Sequence, residues 1–377
     1  MMKILIDCSF MDSTQVSGVY NCTYRLLNGF KDLNDVALEI HIIIQPQEKE
    51  YFTKLFPSFT VLLLPKRLSM VIKKIPHLKG YIYSSFIDKY IVKKNIDIFF
   101  CPYMSIDSLF CSKAKQVGIL HDAQTYILKK NQFVKGKIYK FFMDRILDKN
   151  TFIVTISEEA RKNIQKQLPY LKAPLYLIHN SVIVSRKMIR LKDIENQKYI
   201  LFVNTLMEYK NIETLIRAFF LIKDKIPHIL LIKARSTEFW QKKMIPLISD
   251  LKLMNRVVLY EKNLSDEEMA FLYNKAEIFV STSLMEGFGY TPIEAAIYKT
   301  SVITTKIPVI LETSKGLFHY YEPAKDYRIL SSTIYNLLQN PDSPETLRDI
   351  SKKLESLYLP IEQARKFISL FAEIRNM

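Results

Sequence analysis

The sequence predicts an α/β protein built from two doubly wound parallel-sheet domains in series. Three observations carry that expectation. The chain is 377 residues long, more than one small core needs and enough for two domains of ordinary size. Each half alternates short β-branched runs with longer amphipathic stretches, the order that buries a parallel sheet between layers of helices. Between Val184 and Lys198 the apolar periodicity fails and charge takes over, which marks a linker. Domains are therefore expected at 1–187 and 188–357, with 358–377 a last helix packing back on the first domain.

In the first half, residues 3–8, 38–44 and 60–64 read as strands, and 19–30 as a helix after the turn at Ser17-Gly18. The stretch 66–94 reads as largely helical, interrupted near Pro76 and Gly80. Strands follow at 96–101 and 116–120, an amphipathic helix at 135–147, and strands at 151–156 and 175–179. The second half opens with a strand at 199–203 and a helix at 212–222. Then come a strand at 228–233, a helix at 238–251 and a strand at 257–260. A helix over 266–274 is announced by the capping box Ser265-x-x-Glu268. After it come strands at 277–281 and 302–304, and helices at 331–339 and 361–375. Two such units leave a cleft, and open parallel sheets bind ligands at the carboxyl ends of their strands.

The most informative stretch is Glu286-Gly287-Phe288-Gly289-Tyr290-Thr291-Pro292-Ile293-Glu294. It joins the strand at 277–281 to a helix. Thr291 is expected to cap that helix, with Pro292 as its first residue and Glu294 third, completing a capping box. A strand, a glycine turn and a helix N-terminus present backbone N–H groups and a positive dipole end to an anion. Each carboxylate accepts two hydroxyl hydrogen bonds, which suits a sugar or a ribose. Read without relatives, an ordinary capping box in an ordinary α/β junction explains the stretch as well.

Composition narrows the function classes. A hydrophobic content of 49% with 24% charged residues describes a folded protein. No apolar run reaches the 18 residues of a membrane span, and the start, a first strand, lacks a signal peptide's apolar segment. Cys8, Cys22, Cys101 and Cys111 show no paired metal spacing, so buried hydrophobes, no metal, no cofactor and a reducing cytoplasm are expected. Charge is lopsided: residues 1–190 hold 29 Lys+Arg against 15 Asp+Glu (net +14), residues 191–377 hold 25 against 23 (net +2). Lys66, Arg67, Lys73, Lys74, Lys79, Lys89, Lys93 and Lys94 face a single acid, Asp88, and alternate with aromatic and aliphatic residues. That mixture suits an anionic membrane surface, at about 1 kcal/mol per cation. A solvated lysine face ranks next. Nucleic acid comes last, because no helix-turn-helix, zinc or arginine-glycine pattern accompanies the charge.

Glu286-Gly287-Phe288-Gly289 with Pro292-x-Glu294-Ala295 resembles the paired-glutamate signature of family 4 glycosyltransferases, retaining enzymes of the GT-B fold with two Rossmann-like domains. The resemblance implies that Glu286 lies by the transferred sugar and Glu294 holds the nucleotide ribose, with Gly287, Phe288, Gly289, Tyr290 and Thr291 forming the donor turn. Further stretches match in family order. Asp7 and Ser17-Gly18-Val19-Tyr20 resemble the first glycine loop, with Gly18 at the donor. His121-Asp122 resembles the strand-end pair in which the histidine meets the sugar. Residues 203–211 resemble the donor-phosphate loop, placing Thr205 and Lys210 on the diphosphate. There Asn204 replaces the usual glycine, Thr205 a common arginine and Tyr209 another basic residue, leaving Lys210 with backbone, and Arg235 as a substitute. Thr155-Ile156-Ser157 and His179-Asn180-Ser181 match a strand-end serine and an Asn-Gly turn, Ser181 replacing glycine. Glu312 matches another acidic position.

The resemblance implies transfer of a hexose from a nucleotide sugar, with GDP-mannose expected, to a lipid-linked saccharide in bacterial surface-polysaccharide assembly. The enzyme would work peripherally at the inner face of the cell membrane, without metal. A nucleic-acid-binding protein, or a GT-B epimerase, phosphorylase or silent relative, are the alternatives.

Overall fold

The computed structural model describes residues 1–14, 18–33, 35–65, 79–104, 113–121 and 151–377, apart from 168, 170 and 172. The chain divides into two compact units. One comprises Met1–Ser181 with Leu359–Met377, the other Val182–Tyr358. Much of the basic stretch 66–94, the helix expected at 135–147, Ser17, Cys111 and Asp122 lie outside the described residues.

Among the described residues the first unit holds a seven-stranded parallel sheet. Its strands are β1 (Met2–Asp7), β2 (Leu38–Ile44), β3 (Thr60–Leu63), β4 (Ile98–Cys101), β5 (Lys115–Leu120), β6 (Thr151–Thr155) and β7 (Leu175–Leu177). They run in the order β3-β2-β1-β4-β5-β6-β7, so the winding reverses between β1 and β4. Near-continuous Ile, Val, Leu and Phe runs make strands buried on both faces. On one face Leu5, Ile43 and Phe99 pack with Tyr83, Ile87 and Ile91 of the helix Lys79–Lys94. Elsewhere the helix Gly18–Leu33 meets the last helix, Pro360–Asn376. Phe371 stacks on Phe30, with ring centroids 6.4 Å apart, and meets Phe100 edge-on at 5.2 Å. Gly29 permits this approach: a Cβ there would lie 2.1 Å from the Pro360 carbonyl oxygen.

The second unit holds β8 (Tyr199–Val203), β9 (Ile229–Lys233), β10 (Val257–Tyr260), β11 (Ile278–Ser281), β12 (Ser301–Thr305) and β13 (His319–Tyr321). Their order is β10-β9-β8-β11-β12-β13, all parallel. Here the winding reverses between β8 and β11. Phe202, Leu230, Ile232 and Val280 join Leu215, Phe219, Trp240, Leu330 and Ile334 in one core cluster. The Ser265/Glu268 capping box forms on the helix Asp266–Lys275. The helix expected over 238–251 runs without a break over 238–250, and it contains a π-helical turn, Trp240–Met244, ahead of the α-helical Ile245–Asp250. Pro246 lacks an amide donor, and a wider turn before it shifts the hydrogen-bond ladder past the gap.

Candidate active site

Of the residues singled out in the second half, Asn204, Lys210 and Glu286 meet beyond the carboxyl ends of β8 and β11, the point where that sheet's winding reverses. Such a switch point opens a crevice because the two flanking loops depart in opposite directions. The β8 loop runs through Asn204 and Thr205 to the short 3-10 turn Glu208–Lys210. The β11 loop runs from Ser281 to Gly289. The loops are stitched together: Leu284 N–H donates to the Tyr209 carbonyl at 2.9 Å, and Thr282 Oγ1 to the Lys210 carbonyl at 2.8 Å.

At the centre Lys210 Nζ lies 2.7 Å from Glu286 Oε1, with the two side chains only 8% and 14% exposed. Asn204 Nδ2 approaches the same carboxylate oxygen at 3.4 Å. Lys210 also lies 4.9 Å from the centre of the Tyr209 ring, within cation–π range. A pair this enclosed carries a desolvation cost that its mutual attraction must offset. The resemblance implies Lys210 against a diphosphate; the structure brings it together with Glu286, one of the two expected catalytic residues. Thr205 is exposed and its N–H is taken by Asn204 Oδ1 at 2.9 Å, so that amide is engaged within the loop. Arg235, past the end of β9, is exposed and donates to Asn263 Oδ1 at 3.3 Å. Beside it, burial and then the Arg235 charge hold the Lys233 ammonium below its usual range, opposed by Glu261.

The paired-glutamate turn departs from the expected capping. The helix spans Tyr290–Ile297, with Gly289 as N-cap at φ +85° and no side-chain cap. Thr291 is thus a second helical residue rather than the cap, and no capping box forms. The cause is Gly289: its left-handed backbone turns the chain into the helix two residues early. A Cβ at that position would also sit 2.2 Å from Ile310 Cδ1. Pro292 is tolerated as the third helical residue, where its missing N–H would have no intrahelical partner. Glu294 therefore lies more than one turn inside and accepts a hydrogen bond from Tyr273 Oη at 3.0 Å. Phe288, assigned to the donor turn, is a core anchor: it is 2% exposed and meets Tyr358 edge-on at 5.4 Å. Its carbonyl accepts from Thr313 Oγ1 at 3.0 Å. Gly287, Tyr290 and Thr291 are half-buried at the turn and the helix start.

In the first unit His121 follows β5, half-buried, with Nε2 donating to the Pro102 carbonyl beyond β4 at 3.0 Å. It is thus tied to the loop flanking that unit's own switch point. Gly18 begins the helix Gly18–Leu33 and is exposed, and a Cβ there would meet nothing within 4 Å. The other matches have these places in the structure. Ser157 Oγ caps the helix Glu158–Gln167 through Ala160 N–H at 3.0 Å. Ser181 Oγ donates to Gln363 Oε1 at 2.7 Å, tying the last helix to the first unit. Glu312 is half-buried on the helix Pro308–Ser314.

Sequence reasoning overlooked Tyr273 and treated Asn204 only as a departure. Tyr273 lies on the apolar face of its helix with Ala270 and reads there as core. Nothing local couples it to Glu294, 21 residues on.

The chain is similar to several known proteins. Residues 185–354 match the family described as "Glycosyl transferases group 1". The chain is 26% identical over 331 residues to the O-antigen chain mannosyltransferase RfbU of Salmonella typhimurium, covering 87% of this chain and 89% of that protein. It is 20% identical over 239 residues to the serotype-specific mannosyltransferase WbdA of Escherichia coli, 58% of this chain and 29% of WbdA. Among solved structures, sucrose-phosphate synthase from Thermosynechococcus elongatus superposes with a TM-score of 0.71 at 14% identity, over 99% of both chains. Anabaena Alr3699/HepE, solved with UDP and glucose, gives 0.68 at 15% identity, over 99% of this chain and all of that one. These are GT-B proteins with two Rossmann-like domains. Residues 185–354 thus match the group 1 glycosyltransferase family, and the chain as a whole has the GT-B fold.

Proposed function

We propose that the chain transfers a hexose, with GDP-mannose the expected donor, to a lipid-linked oligosaccharide, retaining the anomeric configuration. The observation that carries the reading is the enclosed Lys210–Glu286 pair at the β8/β11 switch point, with Glu294 one loop away. The names of RfbU and WbdA, both mannosyltransferases, support mannose, and that of RfbU supports an O-antigen-type acceptor. In this reading Lys210 exchanges Glu286 for the departing diphosphate. Glu286 is thereby left ionised beside the oxocarbenium-like sugar, where a fixed negative charge in a dry site is worth most. Glu294 accepts hydroxyls of the ribose. His121 meets the transferred sugar, and the leaving phosphate oxygen takes the acceptor's proton. The Thr205 amide is engaged by Asn204 Oδ1, and Lys210 supplies the clamp's charge, with Arg235 as a substitute.

Lysine and helix-terminal amides do the charge work, and turnover is expected to persist in EDTA. The basic residues of the first half support docking on an anionic leaflet at the cytoplasmic face of the membrane. No helix among the described residues is long and apolar enough to cross a membrane. Co-sedimentation with vesicles that is indifferent to anionic lipid would remove that part. The test of the whole reading is a thermal-shift and hydrolysis screen against GDP-, UDP- and dTDP-sugars, wild type beside Glu294→Ala. Stabilisation by one nucleotide class, lost in the variant, is the expected result. A wild-type protein that responds to none of them overturns it.

A further inference from the structure

Glu294 is held by a side chain that is itself fixed on every side. Tyr273, on the helix Asp266–Lys275, is 2% exposed and donates its phenol proton to Glu294 Oε2 at 3.0 Å. Its ring stacks on Tyr298 (centroids 5.8 Å apart, planes 11° apart) and tilts against Phe279 at 5.9 Å. The backbone around it is tied as well. Thr300 Oγ1 donates to the Tyr273 carbonyl at 2.6 Å, and Asn274 Nδ2 to the Tyr298 carbonyl at 2.9 Å. Tyr298 Oη in turn accepts the Ser185 N–H at 2.8 Å.

A glutamate terminus turns through a broad, roughly two-fold torsion. A charge-assisted hydrogen bond from an immobile phenol fixes both that torsion and the plane of the carboxylate. Recognition of a vicinal diol depends on that plane, because the carboxylate must meet hydroxyls at set positions. We propose that Tyr273 is the positioning residue that sets ribose selectivity at Glu294, so that the site separates ribonucleotides from their deoxy counterparts. The inference rests on the reading of Glu294 as the ribose residue.

Calorimetric binding of GDP and UDP, each beside its 2′-deoxy and 3′-deoxy analogue, tests it in wild type, Tyr273→Phe, Glu294→Gln and Tyr298→Phe. Tyr273→Phe keeps the stacked ring, so the fold is retained. The ribo-over-deoxy preference is expected to fall about five- to tenfold, the scale of one hydrogen bond. Tyr298→Phe also loses a buried hydroxyl contact and serves as the control, with its preference unchanged. A preference lost in Glu294→Gln but intact in Tyr273→Phe overturns the inference and leaves the ribose reading standing. A preference intact in Glu294→Gln, or a wild type that binds neither nucleotide, overturns both.

Discussion

The two units share one topology, and each reverses its winding beside its first strand, yet their switch points are furnished differently. In the first unit Asp7, at the end of β1, is 5% exposed and takes hydrogen bonds from Tyr83 Oη at 2.8 Å and Ser9 N–H at 3.0 Å. Burial, then the charge of Asp7, pushes the Tyr83 phenol well up; the Cys8 thiol is raised in the same way. In the second unit the carboxylate at the switch point is Glu286, on the loop after β11 rather than at the end of the first strand, and it faces an ammonium. A phenol and an amide hold a carboxylate as part of a frame. An ammonium can exchange one anion for another. The second arrangement is the one suited to a ligand that arrives with phosphates and leaves with them.

The largest expected effect is at that ion pair. Lys210→Ala should lower kcat/KM for donor turnover by about 10²–10³-fold, the usual loss on removing one preorganised charge-stabilising group. It should also destabilise the second unit by about 3 kcal/mol, because it leaves a buried carboxylate unpaired. The double variant Lys210→Met/Glu286→Leu should regain melting temperature without regaining turnover, which separates the two effects. Unchanged kinetics in Lys210→Ala would sink the clamp assignment.

Next is the turn between the two glutamates. Gly289→Ala should cost about 2 kcal/mol, measured by urea unfolding, since its φ of +85° disfavours any side chain. Adding Ile310→Val removes the Cδ1 that the new methyl would strike and should recover part of that loss, the backbone strain remaining.

The counterpart in the first unit tests the contrast itself. Tyr83→Phe removes the hydroxyl from Asp7 and Ser9 and should cost about 1–3 kcal/mol of stability with nucleotide affinity unchanged. A loss of nucleotide affinity matching that of Lys210→Ala would break the comparison.

The smallest effect is a pH dependence confined to the first unit. His41, 1% exposed on β2, lies between Tyr90 Oη at 2.8 Å and Glu39 Oε1 at 2.9 Å. Burial holds its pKa below the ordinary 6.5; the charges of Lys3 and Lys94 add to the lowering, and Glu39 opposes it. The unfolded chain then takes up a proton before the native one does. Stability from this group is complete above pH 6.5 and lost as pH falls through the lowered value. The melting temperature of wild type should drop over that range more than that of His41→Gln. Equal slopes would remove His41 as the cause.

Periodicity and turn chemistry alone located Leu38–Ile44, Tyr199–Val203, Ile212–Ile222 and Val257–Tyr260 to the residue. They located the Ser265 capping box too, because these features depend on neighbours within a few positions. Short or polar elements escaped notice. Lys49–Leu55, Glu158–Gln167 and Pro308–Ser314 are too brief to display a period, and Pro344–Tyr358 keeps only Ser351, Leu354 and Tyr358 buried. The helix after Gly289 was misjudged by two residues because Thr291, Pro292 and Glu294 make a convincing local capping pattern. The left-handed backbone of Gly289, where Ile310 leaves no room for a side chain, starts the helix two residues earlier.

The sequence by itself thus determined the fold class, the strands buried on both faces, the concentration of positive charge in the first half and the position of the two glutamates around a turn. Each depends on composition or on short-range order. Only the tertiary structure decided what those glutamates touch. Lys210 reaches Glu286 across 76 residues, and Tyr273 reaches Glu294 across 21. Both contacts exist because strand order, rather than chain order, places β8 beside β11 and packs the helix before β11 against the one after it.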